Sequence, residues 1–342
     1  MHGVIHIVDR DTPLDMQRQL DLLADADETI FSLGPPPEYL AARRNIRGIS
    51  QPPSFGPLVF RLHKCIDPAA KVVHWWTAGV MTDRLAAPGA RIVFSLPALP
   101  DRDTPCHPRG ILTVPTAGAA RELVRRGTPV TNVAVMAPPA AGITGRQARR
   151  GRVRNALGLT DGHFLLLAPG EMIRQAGHKY APWAQTIILQ MLPNVRLLMP
   201  GGGAYEEHVR YFAANTGRLD EVFFTGDRWD LEDCLSAADA ALFLFERDCG
   251  IAALAAAMAC GLPIVASATP DVVSCAPGGQ AALLVPPRSP RLAAAEILKL
   301  IDDPQLAHRL ADNARRRAAE LFDIEQSRHA RLAIYSGQLP LP

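Results

Sequence analysis

Residues 238–266 read ADAALFLFERDCGIAALAAAMACGLPIVA. Ala238–Phe245 is a short apolar run of buried-strand character, Ile251–Cys260 is an alanine-rich helical run, and Pro263–Ala266 opens a second strand-like run. Strand, helix and strand in that order form a βαβ unit, whose two strands lie parallel in one sheet. The apolar character of both strands fits a sheet covered on both faces, so the stretch predicts an α/β fold.

The same alternation extends outward in both directions. Strand-like runs at Phe164–Ala168, Val195–Met199 and Val222–Phe224 precede it, with helices starting near Gly177 and Ala204. After it come Ala281–Val285 and two helices, Pro290–Ile301 and Pro304–Leu321. Further back, Val4–Val8, Thr29–Leu33, Lys71–Trp75, Arg91–Leu96 and Ile111–Val114 alternate with helical patterns on Leu14, Met16, Leu20, Leu22 and Leu23, on Ala78–Leu85 and on Ala117–Arg126. Between them APPAAGITGRQARRGRVRNALGLTDG is rich in Pro, Gly and Arg, which marks a connection.

This order predicts two doubly wound domains: residues 1–145, a linker over 146–162, residues 163–322, and a tail over 323–342 that returns to the first domain. The linker arginines Arg146, Arg149, Arg150, Arg152 and Arg154 read as a solvated face, with an anion-binding role as the alternative. In the last long helix Leu306, Leu310, Ala314 and Leu321 form the packed stripe, with Arg309, Arg315, Arg316 and Arg317 mostly outside it.

Composition bounds the function. The chain has 342 residues, 48% hydrophobic and 20% charged, the profile of a folded protein large enough for two cores. Thirty-six basic against 34 acidic residues leave a net charge of +2, which argues against a nucleic-acid partner. The six cysteines lack CxxC pairing and several sit in apolar runs, as reduced buried thiols do. The start, MHGVIHIVDRD, lacks a secretory apolar segment and no run reaches membrane-spanning length, so a cytoplasmic protein is expected, with peripheral membrane contact left open.

Several segments in order carry a resemblance. RNALGLTDGHFLLLAPGE (154–171), LPNVRLLMPGGG (192–203), RLDEVFFTGD (218–227), LSAADAALFL (235–244), AAMACGLPIVAS (256–267), ALLVPP (282–287) and LIDDPQLAHRLADNARRRAAELF (300–322) resemble the donor domain of the family-four (group 1) glycosyltransferases. ILTVPTAGAARELVRRGTPVTNVAVMAPPAA (111–141) resembles the same family's last strand and helix before its crossover, and VVHWWTAG (72–79) sits where such proteins often carry a strand ending in His. The resemblance implies a GT-B fold of two facing Rossmann-like domains. It also implies transfer of a sugar from a nucleoside-diphosphate sugar to an acceptor (glycan, lipid or small molecule), with retention of configuration, no metal and no cofactor besides the donor.

Such a transfer builds negative charge on the leaving diphosphate while the sugar gains oxocarbenium character, so the site needs positive charge. One source is a helix N-terminus, and DCGIAALAAAMACG offers it at Gly250 and Ile251, where glycine permits close backbone approach. A buried helix of small residues is the structural alternative. The family's motif here holds two glutamates. Ala255 and Ala256 stand where the second belongs, while Glu246 and Asp248 occupy the loop of the first and are the candidate catalytic carboxylates.

The family also places an Arg and a Lys-Gly after the first donor-domain strand. Here PGEMIRQAGHKYA puts Glu171 near the Arg and Ala176 near the Lys, so Gly170, Arg174 and Lys179 become the candidate donor contacts. His74 is the acceptor-side candidate, with aromatic packing as its alternative.

Other patterns carry less chemistry. Asp9-Arg10-Asp11 and Asp101-Arg102-Asp103 have the Asp-x-Asp form of a metal-binding glycosyltransferase motif, but cap or loop roles are simpler. His63, Cys65, Cys106 and His107 lack zinc spacing, and Gly201-Gly202-Gly203 fits a tight strand-to-helix turn. The substitutions at family positions frame a second hypothesis, a degenerate homologue that binds a ligand or partner without turnover.

Overall fold

The computed structural model describes residues 3–9, 12, 14–25, 27–33, 40, 45–49, 70–76, 89–96, 110–226 and 228–339. The chain forms two compact units, Met1–Pro139 with Ile324–Pro342, and Ala140–Asp323.

In the first unit β1 (Val4–Asp9), β2 (Thr29–Leu33), β3 (Ile46–Ile49), β4 (Val72–Trp75), β5 (Arg91–Ser95), β6 (Ile111–Val114) and β7 (Val133–Val135) form a parallel sheet in the order β3-β2-β1-β4-β5-β6-β7. Growth outward from β1 in one direction and from β4 in the other is the doubly wound pattern. Alternation along each strand feeds two cores. Val73 packs with Phe94, Leu112 and Leu123 on one face. Its neighbour Val72 packs with Val8, Leu20 and Val93 on the other. Helix Ile324–Ser336 closes this second face with Ile334 and Tyr335.

In the second unit β8 (Phe164–Leu167), β9 (Val195–Pro200), β10 (Val222–Gly226), β11 (Ala240–Phe243), β12 (Ile264–Ser267) and β13 (Leu283–Val285) form a parallel sheet ordered β10-β9-β8-β11-β12-β13. Leu166, Leu197, Leu242 and Val265 pack against Ala184 and Ile188 of helix Tyr180–Leu189 and against Ala293 and Ile297 of helix Pro290–Asp302. Full burial of each large aliphatic side chain contributes about 1.5–3 kcal/mol. Helix Ile251–Ala259 is almost wholly buried, which its alanines allow because they let it pack closely against helix Pro304–Leu321. The strand order reverses between β8 and β11, so the loops leaving these two strands meet at a topological switch point.

The structure departs from the sequence expectations at several places. The arginine-rich connection is not a solvated linker face: Arg146–Ala156 is a helix. Arg154 bridges Asp239 and the carbonyls of Thr160 and His163, Arg150 reaches Asp239 at 2.6 Å, and Arg149 and Arg152 share Asp233. Arginine is a good helix former, and its acidic partners lie about eighty positions away, where local composition gives no sign of them. The short strands Ile46–Ile49 and Val133–Val135 were not expected, and residues 324–336, read as a tail, are helical.

The expected helix at residues 78–85, the Asp101-Arg102-Asp103 loop, and His63, Cys65, Cys106 and His107 lie outside the described residues, as does all of Asp9-Arg10-Asp11 except the backbone of Asp9. The described cysteines, Cys234, Cys249, Cys260 and Cys275, are buried free thiols. Burial pushes Cys260 up to about 11 and Cys275 up to about 12. Among the described residues no helix is long and apolar enough to cross a membrane.

Candidate active site

The candidate residues Lys179, Glu246 and Arg288 of the second unit meet at loops that leave the carboxyl ends of β8, β11 and β13. The loop after β8 turns at Gly170, whose φ of 116° is open to glycine and costly for other residues. It then passes through a short 3-10 turn at Arg174–Ala176 and enters helix Tyr180–Leu189 with Lys179 at its N-cap. Met172 locks this loop to the glycine turn after β9: its N–H donates to the Gly202 carbonyl and its carbonyl accepts from the Tyr205 N–H, each at 2.8 Å.

The loops after β8 and β11 touch directly. Gly177 has φ 66°, and a side chain there would collide with the Leu244 carbonyl. The Glu246 N–H donates to the Gln175 carbonyl at 2.8 Å. These contacts fix the backbone of Glu246 beside the start of helix Tyr180–Leu189.

Its carboxylate is held by three side chains. Lys179 Nζ lies 2.9 Å from Oε1, the Tyr180 hydroxyl donates to the same oxygen at 2.9 Å, and Arg288 donates to Oε2 through Nη2 at 2.8 Å and Nε at 3.1 Å. Burial alone would raise the Glu246 pKa, but the hydrogen bonds from Lys179, Tyr180 and Arg288 outweigh it and hold it below the usual carboxylate range. Lys179 is shifted upward: burial acts against its charge, and Glu246 overcomes that. Its Nζ also sits 5.0 Å from the Tyr180 ring centroid and 6.0 Å from that of Tyr205, so aromatic faces flank the cation.

The other candidates fall into different places. Arg174 is exposed and makes no ion pair among the described residues. Asp248 is buried and accepts from the Asp271 N–H at 2.8 Å, which ties the loop after β11 to helix Pro270–Cys275. That engagement suits a structural tether. Gly250 adopts φ 63° as N-cap of helix Ile251–Ala259, with the Phe245 ring 3.1 Å from where a side chain would begin. The Ile251 side chain is buried, and its backbone N–H belongs to the first turn of the helix, whose N–H groups have no partner within the helix.

His178, between Gly177 and Lys179, is buried. Burial lowers its pKa to about 4 against the small opposing effect of its hydrogen bond to the Pro169 backbone, so at neutral pH the ring is uncharged.

His74 is not at an accessible surface, contrary to the expectation of an acceptor-side role. It is wholly buried in the first unit, with Nδ1 on the Tyr335 hydroxyl at 2.5 Å and Nε2 on Ser95 Oγ at 2.8 Å, and Ser95 passes the chain on to Thr113 at 2.8 Å. Beside it the Trp76 indole donates to His6 Nδ1 at 3.0 Å, and His6 Nε2 lies 3.0 Å from Glu28. Arg331 reaches the same Glu28 oxygen at 2.6 Å. Burial would raise the Glu28 pKa, but His6 and Arg331 bring it down to about 2. A histidine ending a strand reads alike from sequence whether it faces a ligand or a polar core.

Tyr180, Tyr205 and Arg288 were not anticipated. Tyr180 and Tyr205 carry a faint signal as tyrosines near a glycine turn and a helix start. Arg288 carries none, because only the meeting of β11 and β13 loops brings it to Glu246.

The family model described as Glycosyl transferases group 1 matches residues 150–317, inside the second unit. The MMP alpha-(1->4)-mannosyltransferase of Mycolicibacterium hassiacum is 43% identical over 82 residues, which is 23% of this chain and 20% of that protein. The chain thus matches about a fifth of that relative's length. Among solved structures, Anabaena HepE in complex with UDP-glucose superposes with a TM-score of 0.83 at 16% identity, covering 98% of this chain and 100% of that one. Sucrose-phosphate synthase from Thermosynechococcus elongatus gives 0.72 at 17% identity, over 98% of each.

Proposed function

We propose that the protein is a group 1 glycosyl transferase that transfers a sugar from a nucleoside-diphosphate sugar to an acceptor, a reading supported by the family match over residues 150–317 and the GT-B fold. The observation that carries this reading is the preformed array of Lys179, Tyr180 and Arg288 around Glu246, set at the switch point against the start of helix Tyr180–Leu189. Two cations and a helix N-terminus around one carboxylate leave the local field positive, as a departing diphosphate requires. The structures of like fold that hold UDP and UDP-glucose support a nucleoside diphosphate as the ligand.

In this reading Gly170 and Gly250 admit the phosphates close to the backbone, the Ile251 N–H and Lys179 bind them, and Arg174 reaches in from its exposed turn. Glu246 faces the sugar hydroxyls. Asp248 holds the loop in place. The reaction retains configuration, needs no metal or cofactor, and lets the leaving phosphate take the acceptor's proton. The alternative of a degenerate homologue without turnover has nothing in its favour from an intact, hydrogen-bonded Glu246 array.

Thermal-shift screening with UDP, GDP, ADP and their sugars tests the proposal, since a ligand of the native state raises its melting temperature. One base raises the melting temperature, and the matching sugar donor is slowly hydrolysed without acceptor, with and without EDTA, releasing sugar of the donor's anomeric configuration. No shift with any nucleotide and no hydrolysis of any donor overturns it.

A further inference from the structure

We infer that Arg288 is a diphosphate-binding residue, held until the ligand arrives by Glu246 acting as an internal counter-anion; this deepens the donor-binding reading above and rests on it. Arg288 is the one non-glycine residue with positive φ among the described residues, at 61°. That region is unfavourable for any residue with a Cβ, and outliers of this kind concentrate where a side chain is held for a purpose. Here the purpose is visible in the geometry. The conformation carries the guanidinium from the loop after β13 onto Glu246, where Nε and Nη2 both meet Oε2.

Charge counting gives the arrangement its direction. Lys179 and Arg288 share a single carboxylate, so the trio retains one net positive charge. A diphosphate brings more negative charge than Glu246 and offers oxygens matched to a guanidinium fork. The Glu246 side chain is 7% exposed, whereas that of Arg288 is 65% exposed, so the arginine is the member that an incoming anion meets first. When the diphosphate takes Arg288 and Lys179, Glu246 keeps the Tyr180 hydroxyl and turns its freed oxygen to the ligand's other polar groups. Where the family resemblance expects an arginine after β8, this chain has Glu171. Arg288 supplies the missing cation from another loop.

The test is isothermal titration of the full chain with UDP, GDP and ADP and with UMP, GMP and AMP. Arg288→Ala and Arg288→Gly weaken the diphosphate by about tenfold and leave the monophosphate unchanged, the loss of one charge-assisted contact. Glycine tolerates the left-handed backbone, so its loss of affinity reports the side chain and not a rearranged loop. Glu246→Gln moves the other way and tightens the diphosphate, because it frees both cations. An unchanged ratio of diphosphate to monophosphate affinity in Arg288→Gly, or weaker diphosphate binding in Glu246→Gln, overturns this inference alone. Failure of the unaltered chain to bind any of the six nucleotides overturns the donor-binding reading with it.

Discussion

Lys179 Nζ stands 2.9 Å from Glu246 Oε1, and this ion pair joins the start of one helix to the loop that leaves a different strand. Lys179→Ala removes the cation at the helix N-terminus and leaves Glu246 held by Tyr180 and Arg288. Its diphosphate affinity falls by about tenfold or more, as loss of a charge-assisted contact does. Calorimetric titration with the nucleotide chosen by thermal shift measures the change, and an unchanged affinity contradicts a donor-binding role for Lys179.

Gly177 is the contact point of the two loops. Gly177→Ala places a methyl against the Leu244 carbonyl in a left-handed conformation. Both effects oppose folding of the same segment, and a loss of about 2–4 kcal/mol is expected in urea unfolding. A variant as stable as the parent shows that the loops separate more easily than this packing implies.

His178 makes the second unit sensitive to mild acid. Its pKa is about 4 when folded against an ordinary 6.5, so between these values the unfolded chain binds a proton that the folded chain does not. Stability therefore rises with pH through that window and is complete above it. The contribution is about 3 kcal/mol. His178→Gln flattens the melting temperature between pH 4 and 6.5. A parent and variant with the same pH slope would falsify the assignment.

Asp239 anchors the arginine-rich helix. It receives Arg150 at 2.6 Å, Arg154 at 3.1 Å and the Leu165 N–H at 2.7 Å. Asp239→Ala leaves the buried Arg154 without its carboxylate and costs about 3 kcal/mol, more than a surface pair provides. Chemical denaturation monitored by circular dichroism reads this, and a cost below about 1 kcal/mol indicates an ordinary surface pair.

Much of the fold was legible because it is written locally. The runs at Phe164–Ala168, Val195–Met199 and Pro263–Ala266 carry strand signals within a few residues, and IAALAAAMA could hardly be anything but a close-packed helix. Ile46–Ile49 was missed because its Gly48 breaks the apolar signal, and Val133–Val135 because three residues are too few to show a period.

The candidate site was legible only in part, for a different reason. Glu246, Lys179 and the glycines stand on loops whose position in the order of landmarks points to them. Asp248 and His74 have the same sequence credentials, yet one tethers a helix and the other fills a polar core. Orientation distinguishes such pairs, and it is set by tertiary contacts such as Asp271 and Tyr335 that lie far along the chain. Arg288 shows the converse, since its role exists only once the loops after β11 and β13 meet.

The buried pair of Glu28 and Arg331 spans 303 positions, and every residue of the second unit lies between its members. A ribosome thus delivers Glu28, His6 and Trp76 early and must complete the whole second unit before the arginine that neutralises Glu28 emerges. Until then the nascent first unit holds Glu28 with His6 but without its arginine, and carries an uncovered face around Val8 and Leu20. The half of the protein that is made first is the half that finishes last.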